Sequence, residues 1–138
     1  MRFLRLVLLV ALLAASTFAA LPAPALAAAP AAPAAPNIAA GSCAKGTDPS
    51  GAITLICMPL AWNGDLVVYA HGYTPVFQPL DLQNLNLPDG TPLPSLVTGL
   101  GFAFAATSYR VNGLAVLQGV QDVIQLTQDF QAAVRKPA

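Results

Sequence analysis

The stretch DLVVYAHGY, residues 65–73, carries the strongest structural signal in this chain. Its LVVYA part is apolar at every position instead of alternating, which is the pattern of a strand covered on both faces. Such a strand predicts a sheet with helices packed against it. His71, Gly72 and Tyr73 follow at once, so a polar and a conformationally free residue stand where the strand ends.

Further apolar runs lie on both sides of this stretch. ITLICMPL (residues 53–60) is rich in β-branched residues, and with the turn at 62–64 it predicts a hairpin or two adjacent strands. Five prolines between residues 74 and 94 predict a long ordered loop. FAFAAT (residues 102–107) predicts a second strand parallel to the first. A short helix face between the loop and that strand is predicted from Leu93, Leu96, Val97 and Leu100.

A longer helix is predicted after the Asn112-Gly113 turn. The apolar side expected to face the core consists of Val116, Val120, Val123, Ile124, Thr127, Phe130 and Val134. Asp122 and Asp129 are then expected to face solvent. The order β, β, α, β, α predicts an α/β fold with a mainly parallel sheet, in which the strand at 102–107 is an unpaired edge that lowers solubility.

The N-terminal 40 residues have a different character from the rest. Two arginines, an apolar run at 6–15 and the small-residue exit Ala25-Leu26-Ala27 predict a secretory signal peptide over residues 1–27. A membrane anchor is the alternative, but the run is shorter than the roughly 20 residues that span a bilayer. Residues 28–40 are rich in Ala and Pro and predict an extended linker. The mature protein, with its folded part at 41–138, is therefore predicted to be secreted or periplasmic, without a stable membrane span.

The charge balance excludes several classes of function. Six Lys and Arg balance six Asp, and the chain contains no basic cluster that would bind nucleic acid. A single His and scattered Asp side chains do not form a zinc or calcium pattern. We therefore expect no metal, no cofactor and no nucleic-acid partner.

The two cysteines, Cys43 and Cys57, are predicted to form a disulfide. Thirteen residues separate them, and in an exported chain such a pair is more often a bridge than a metal site. The alternative is a catalytic cysteine with His71 as its base, but the sequence gives no reason to place a third, orienting group nearby.

The candidate site lies beyond the carboxyl ends of the two predicted parallel strands, where ligands bind in open sheets. His71, Gly72 and Tyr73 leave one strand, and Ser108, Tyr109 and Arg110 leave the next, so the two groups are expected to be neighbours. Tyr109 and Arg110 are candidates for binding a substrate carboxylate. The alternative role for Arg110 is a salt bridge to Asp122.

Three segments together resemble a known superfamily: WNGDLVVYAHGY, GFAFAATSYRVNG and VQDVIQLTQDF. They are similar to the N-terminal part of secreted α/β-hydrolases of the esterase, lipase and peptidase type, over roughly residues 53–135. The resemblance implies a partial α/β-hydrolase fold, a small ester or peptide substrate, and an oxyanion-hole loop formed by His71, Gly72 and Tyr73. Tyr73 N–H is the candidate donor, and Gly72 lets the backbone approach a substrate closely.

The chain departs from this superfamily at the nucleophile. None of its five serines lies in a G-x-S-x-G elbow, and nothing in the spacing brings a Ser and an Asp to His71 as a general base. The resemblance therefore implies the N-terminal portion of a serine hydrolase, truncated before the nucleophile strand and inactive alone. The alternative function is a small secreted binding or structural module that does no chemistry. The serines concerned are Ser16, Ser42, Ser50, Ser95 and Ser108.

Overall fold

The computed structural model describes residues 37–134. The predicted signal peptide at 1–27 and most of the predicted linker at 28–40 lie outside the described residues. Both stay predictions, as does the assignment of residues 41–138 to one folded part. Within the described range, neither helix combines the length and hydrophobicity that crossing a membrane requires.

Four short strands form one mixed sheet in the order β1-β2-β4-β3. Two of its three strand pairs, β1 with β2 and β2 with β4, are antiparallel, and only β3 with β4 is parallel. The prediction of a mainly parallel sheet, and with it of a partial α/β-hydrolase fold, is therefore wrong. The strands are β1 (Cys43–Thr47), β2 (Ile53–Cys57), β3 (Leu66–Ala70) and β4 (Ala103–Thr107).

The antiparallel part arises from a hairpin that the sequence pattern did not indicate. Strand β1 has the sequence CAKGT and is largely exposed, so it carries no apolar run. The turn after it is held by Asp48, whose Oδ1 accepts hydrogen bonds from the N–H groups of Ser50 and Ala52 at 2.8 and 3.1 Å. This Asx-type turn directs the chain back along β1. Strand β2 therefore pairs with β1, and not with β3 as predicted.

Strand β4 is the centre of the sheet and not its edge. Its five residues are all buried, and β2 and β3 flank it on either side. The prediction that residues 102–107 form an unpaired edge is wrong, because β2 takes the position beside them. The edges are β1 and β3, and β3 is only partly buried. The low solubility expected from an exposed 102–107 strand loses its basis.

One helix packs on each face of β4, which makes three layers. Helix α1 (Leu93–Gly99) places Val97 against Phe104 and Ala106, and helix α2 (Val116–Val134) places Leu126 and Phe130 against the opposite face. Small alanine side chains on β4 let both helices approach the sheet closely. Parallel β3 and β4 with α1 between them match the strand, helix, strand order expected from the sequence.

The inward side of α2 differs from the predicted one. Its buried residues are Gly119, Asp122, Leu126, Phe130 and Ala133, at spacings of three and four. Val116, Val120 and Ile124 are exposed instead, and Asp122 is completely buried. The predicted face was wrong for these residues, although Phe130 is buried and Val134 packs against the core as predicted. The apolar positions of the helix spread over two sides, and the pattern does not say which side meets the sheet.

The disulfide between Cys43 and Cys57 is confirmed. The two residues lie opposite each other in the register of β1 and β2, so the bond closes the hairpin across paired strands. Because both sulfurs are in this bond, neither cysteine serves as a nucleophile beside His71.

Candidate functional site

The segments after β3 and β4 meet at one end of the sheet, as their parallel pairing requires. The Nε2 atom of His71 lies 3.0 Å from the carbonyl oxygen of Ser108. The hydroxyl of Tyr109 donates a hydrogen bond of 3.0 Å to the carbonyl oxygen of His71. The rings of His71 and Tyr109 stack with centroids 4.3 Å apart. Sequence reasoning placed these residues together correctly.

Tyr109 adopts a backbone conformation that few side chains favour. Its φ is 56°, in the left-handed region, and the turn is held because its N–H donates to Thr107 Oγ1 at 3.2 Å. The Ser108 hydroxyl donates to the carbonyl oxygen of Tyr109 at 2.8 Å. A strained conformation persists where surrounding contacts determine it, and here it directs the Tyr109 ring back over His71.

Gly119 on α2 makes room for the Tyr109 ring. A Cβ atom at this position would lie 3.3 Å from Tyr109 Cε1, closer than a side chain normally approaches. The ring is thus enclosed between Gly119 on one helix and the imidazole of His71. Burial raises the pKa of the Tyr109 hydroxyl above its ordinary value, so this group stays a hydrogen-bond donor at neutral pH.

The backbone after His71 offers free hydrogen-bond donors. Among residues 37–134, the N–H groups of Gly72 and Tyr73 have no hydrogen-bond acceptor. The space beside Gly72 is open, because a Cβ atom there would meet no atom within 4 Å. Donors without a protein acceptor next to open space are available to a ligand oxygen.

An apolar cavity of about 510 Å³ adjoins these donors. His71, Gly72 and Tyr73 form one wall, together with Tyr109. The outward side of α2 forms the other wall, through the exposed Val116, Val120 and Ile124 and the half-buried Val123. The lining of this cavity is mainly apolar, with the loop N–H groups at one side, and an apolar ligand with a polar end matches that lining.

Arg110 and Asp122 form a salt bridge, which is the alternative role that the sequence left open for Arg110. The Arg110 Nε donates to Asp122 Oδ1 at 2.7 Å, and its backbone N–H donates to Oδ2 at 2.8 Å. Burial acts to raise the pKa of Asp122, but the hydrogen bonds from Arg110 outweigh it, and the pKa lies below its ordinary value. Ser50 joins the β1–β2 turn to the pair by donating to Asp122 at 3.2 Å.

The two predicted substrate-binding residues differ in where they lie. Tyr109 lines the cavity, whereas Arg110 is not among its lining residues. Binding of a substrate carboxylate by either of them stays a prediction. Ser108 is fully buried, and its hydroxyl already bonds the Tyr109 carbonyl and the Ile53 N–H, so it is not placed as a nucleophile for His71.

Sequence reasoning missed the contributions of α2 to this site. The stripe of Val116, Val120 and Ile124 was assigned to the core, and Gly119 was not considered. One signal was present: Gly119, Asp122, Leu126, Phe130 and Ala133 follow helical spacing as well as the predicted stripe does. Placing Asp122 in the core, paired with Arg110, predicts this side of α2 as the buried one.

Comparison of the chain with protein-family models, with curated proteins and with solved structures finds no match in any of the three.

Proposed function

We propose that this end of the sheet is the oxyanion-binding and acyl-binding part of an exported serine hydrolase that acts on ester or peptide bonds. The observation that carries the proposal is the pair of unpartnered N–H groups, at Gly72 and Tyr73, beside an apolar cavity. In acyl transfer, such donors stabilise the negative charge that develops on the carbonyl oxygen. The cavity next to them would hold the acyl chain.

Two further observations support the proposal. The residues around His71 resemble the oxyanion loop of the α/β-hydrolase superfamily, and this resemblance is what points to a serine nucleophile. The disulfide is of the kind that persists in oxidising compartments, which supports export. The proposal does not depend on a mainly parallel sheet, because it uses only the parallel β3–β4 pair.

The nucleophile and its partners have to come from outside these 138 residues. No serine of the chain lies in a nucleophile elbow. We therefore expect the chain by itself to bind an acyl compound without hydrolysing it. A reading of the coding sequence beyond Ala138 tests the catalytic part of the proposal. A strand followed by G-x-S-x-G, an acidic residue and a His supports it, and a stop codon directly after Ala138 contradicts it.

Binding can be tested on the chain as it is. In ¹H–¹⁵N NMR spectra, sodium octanoate is expected to shift the amide signals of Gly72 and Tyr73 together with those of Val120 and Ile124. Sodium acetate, which has the carboxylate without the chain, is expected to shift none of them at the same concentration. Octanoate that leaves the Gly72 and Tyr73 signals unchanged contradicts the proposal.

A pair of glycine variants makes this test specific. Gly72→Ala places a methyl group in the open space beside the loop, and we expect it to weaken octanoate binding about tenfold. Gly99→Ala is the matched control, since a Cβ there also meets no atom within 4 Å and the position lies on α1. Equal octanoate affinity in the two variants would count against the loop as the binding site.

A non-catalytic binding module is the second candidate function, favoured by the mainly apolar lining of the cavity. The two functions differ in what they require of the ligand's polar end. An oxyanion loop prefers octanoate to octan-1-ol, because only the carboxylate supplies negative charge to the free N–H groups. A module that recognises apolar chains alone binds the two compounds equally well.

A further inference from the structure

The imidazole of His71 has a carbonyl oxygen at each of its two nitrogens. Nδ1 lies 2.7 Å from the carbonyl oxygen of Gly72, and Nε2 lies 3.0 Å from the carbonyl oxygen of Ser108. Carbonyl oxygens only accept hydrogen bonds. A neutral imidazole has one N–H and one lone pair, so it can satisfy only one of these two contacts.

We infer that His71 is doubly protonated in this arrangement, and that its imidazolium is the positioning group of the 71–73 loop. Both contacts are then charge-assisted hydrogen bonds, which are stronger than neutral ones. The bond to Ser108 fixes the ring against the end of β4. The bond to the Gly72 carbonyl oxygen fixes the peptide group between Gly72 and Tyr73.

The surroundings of His71 suit a cation. His71 is 7% exposed, and burial by itself disfavours a charged ring, but the carbonyl oxygens at both nitrogens favour the form with two N–H donors. The ring of Tyr109 stacks on the imidazole at 4.3 Å, where the aromatic face attracts positive charge. This contact adds to the two hydrogen bonds in favour of the imidazolium.

Histidine is the only residue type near the loop that ordinarily changes charge between pH 5 and 8. Arg110 and Asp122 neutralise each other in their salt bridge beyond the Tyr109 ring. The charged and titratable groups on the elements around His71 are Tyr69 on β3, Tyr73 in the loop, Tyr109 and Arg110 after β4, and Asp122 and Asp129 on α2.

Thr74 gives the neutral ring a different partner. Its Oγ1 lies 3.5 Å from His71 Nδ1, and it is buried. When Nδ1 loses its proton, this nitrogen becomes an acceptor, repels the Gly72 carbonyl oxygen and can accept from the Thr74 hydroxyl instead. The two protonation states of one ring thus favour two arrangements of the loop.

The direction of the Tyr73 N–H follows from the hydrogen bond between His71 Nδ1 and the Gly72 carbonyl oxygen. In a planar trans peptide, the carbonyl of one residue and the N–H of the next point in opposite directions. Holding the Gly72 carbonyl on the imidazolium therefore turns the Tyr73 N–H away from the ring. The relevance of this orientation to an oxyanion rests on the proposed function, but the protonation of His71 does not.

NMR of the ¹⁵N-labelled protein tests the inference without any substrate. His71 is the single histidine, so its ring signals are unambiguous. We expect both ring nitrogens to carry hydrogen-bonded protons at the acidic end of a series from pH 5 to 8.5. The amide signals of Gly72 and Tyr73 are expected to follow the same pH curve as the ring. Amide signals that stay still while the ring titrates overturn the inference.

Two variants separate positioning from a general structural role. His71→Gln is expected to remove the pH dependence of the Gly72 and Tyr73 signals, and persistence of that dependence overturns the inference. Thr74→Val keeps the shape of the residue but removes the partner of the neutral ring, so the pH curve of both amides is expected to move to higher pH. An unchanged curve contradicts the two-state loop even if His71→Gln does not fold. If octanoate fails to bind while these results hold, only the proposed function fails.

Discussion

Helix α2 has two sides that both carry apolar residues but have opposite surroundings. The inward side places Leu126 and Phe130 in the core, together with the buried carboxylate of Asp122. The outward side presents Val116, which is 63% exposed, and Val120, which is 53% exposed, next to the cavity. The charged residue is therefore buried, while a valine stripe is left in contact with solvent.

This difference shows that hydrophobic periodicity alone does not orient a helix. Asp122 lies inward because its carboxylate receives the guanidinium and the backbone N–H of Arg110 and the hydroxyl of Ser50. Those bonds offset the cost of burying the charge. The outward stripe is then free to line a cavity, and an exposed apolar surface of this kind is typical of a binding site.

The largest change is expected from Asp122→Ala. Removing this completely buried carboxylate leaves a cavity and takes the hydrogen-bond acceptor from the Arg110 backbone N–H and the Ser50 hydroxyl, and we expect a loss of roughly 3 kcal/mol in the free energy of unfolding. Urea denaturation measures it. Asp129→Ala on the same helix is the control, because Asp129 bonds only Gln125 and lies outside the core. Equal losses in the two variants would mean that the Asp122 network does not orient the helix.

A smaller contrast is expected between Leu126→Ala and Val120→Ala. Leu126 is completely buried, so its truncation leaves a cavity and is expected to cost about 2–3 kcal/mol of unfolding free energy. Val120 is on the outward stripe, and its truncation is expected to cost less than about 0.5 kcal/mol. Denaturation of both variants checks the orientation of α2. A larger loss for Val120→Ala would mean that the two sides are reversed.

The smallest effect is expected from acid. The folded-state pKa of Asp122 is lowered, so its carboxylate contributes stability that is fully present above the unfolded value of about 3.9 and is lost as the pH falls through the folded value. Stability measured from pH 6 down to pH 2 is expected to decline below about pH 4. Asp81 and Asp89, which are exposed, have lowered pKa values and add to the same slope. Asp122→Asn is therefore expected to flatten the decline more than Asp89→Asn, and equal slopes would remove Asp122 as its main source.

Local patterns predicted several features correctly. The all-apolar LVVYA and FAFAAT runs became β3 and β4, paired in parallel. The carboxyl ends of those strands brought His71 and Tyr109 into contact. The disulfide was predicted from the presence of two cysteines in a chain with a predicted signal peptide. Each of these features depends on composition, on short separations along the chain, or on a rule that applies to any parallel strand pair.

The features that were missed depend on contacts between distant residues. Strand β1 has too few apolar residues to be recognised, and it exists because the Asp48 turn places it against β2. The part of the cavity wall that α2 forms was not predicted. The Asp122–Arg110 salt bridge favours one side of the helix facing the sheet, and hydrophobic periodicity does not show that salt bridge. The resemblance predicts only the Tyr73 donor, and the structure adds the Gly72 N–H and the open, apolar space beside the loop.

The sequence by itself determined the strands with continuous apolar runs, the positions of both helices, and the pairing of its two cysteines, because these depend on composition and on short separations along the chain. The tertiary structure alone decided the antiparallel half of the sheet, the side of α2 that meets it, and the enclosure of the His71 ring by two carbonyl oxygens and a tyrosine. Those features depend on which distant groups satisfy each other's hydrogen bonds and charges. A one-dimensional pattern does not contain that information, because a buried charge is stabilised only by the partner that the fold brings to it.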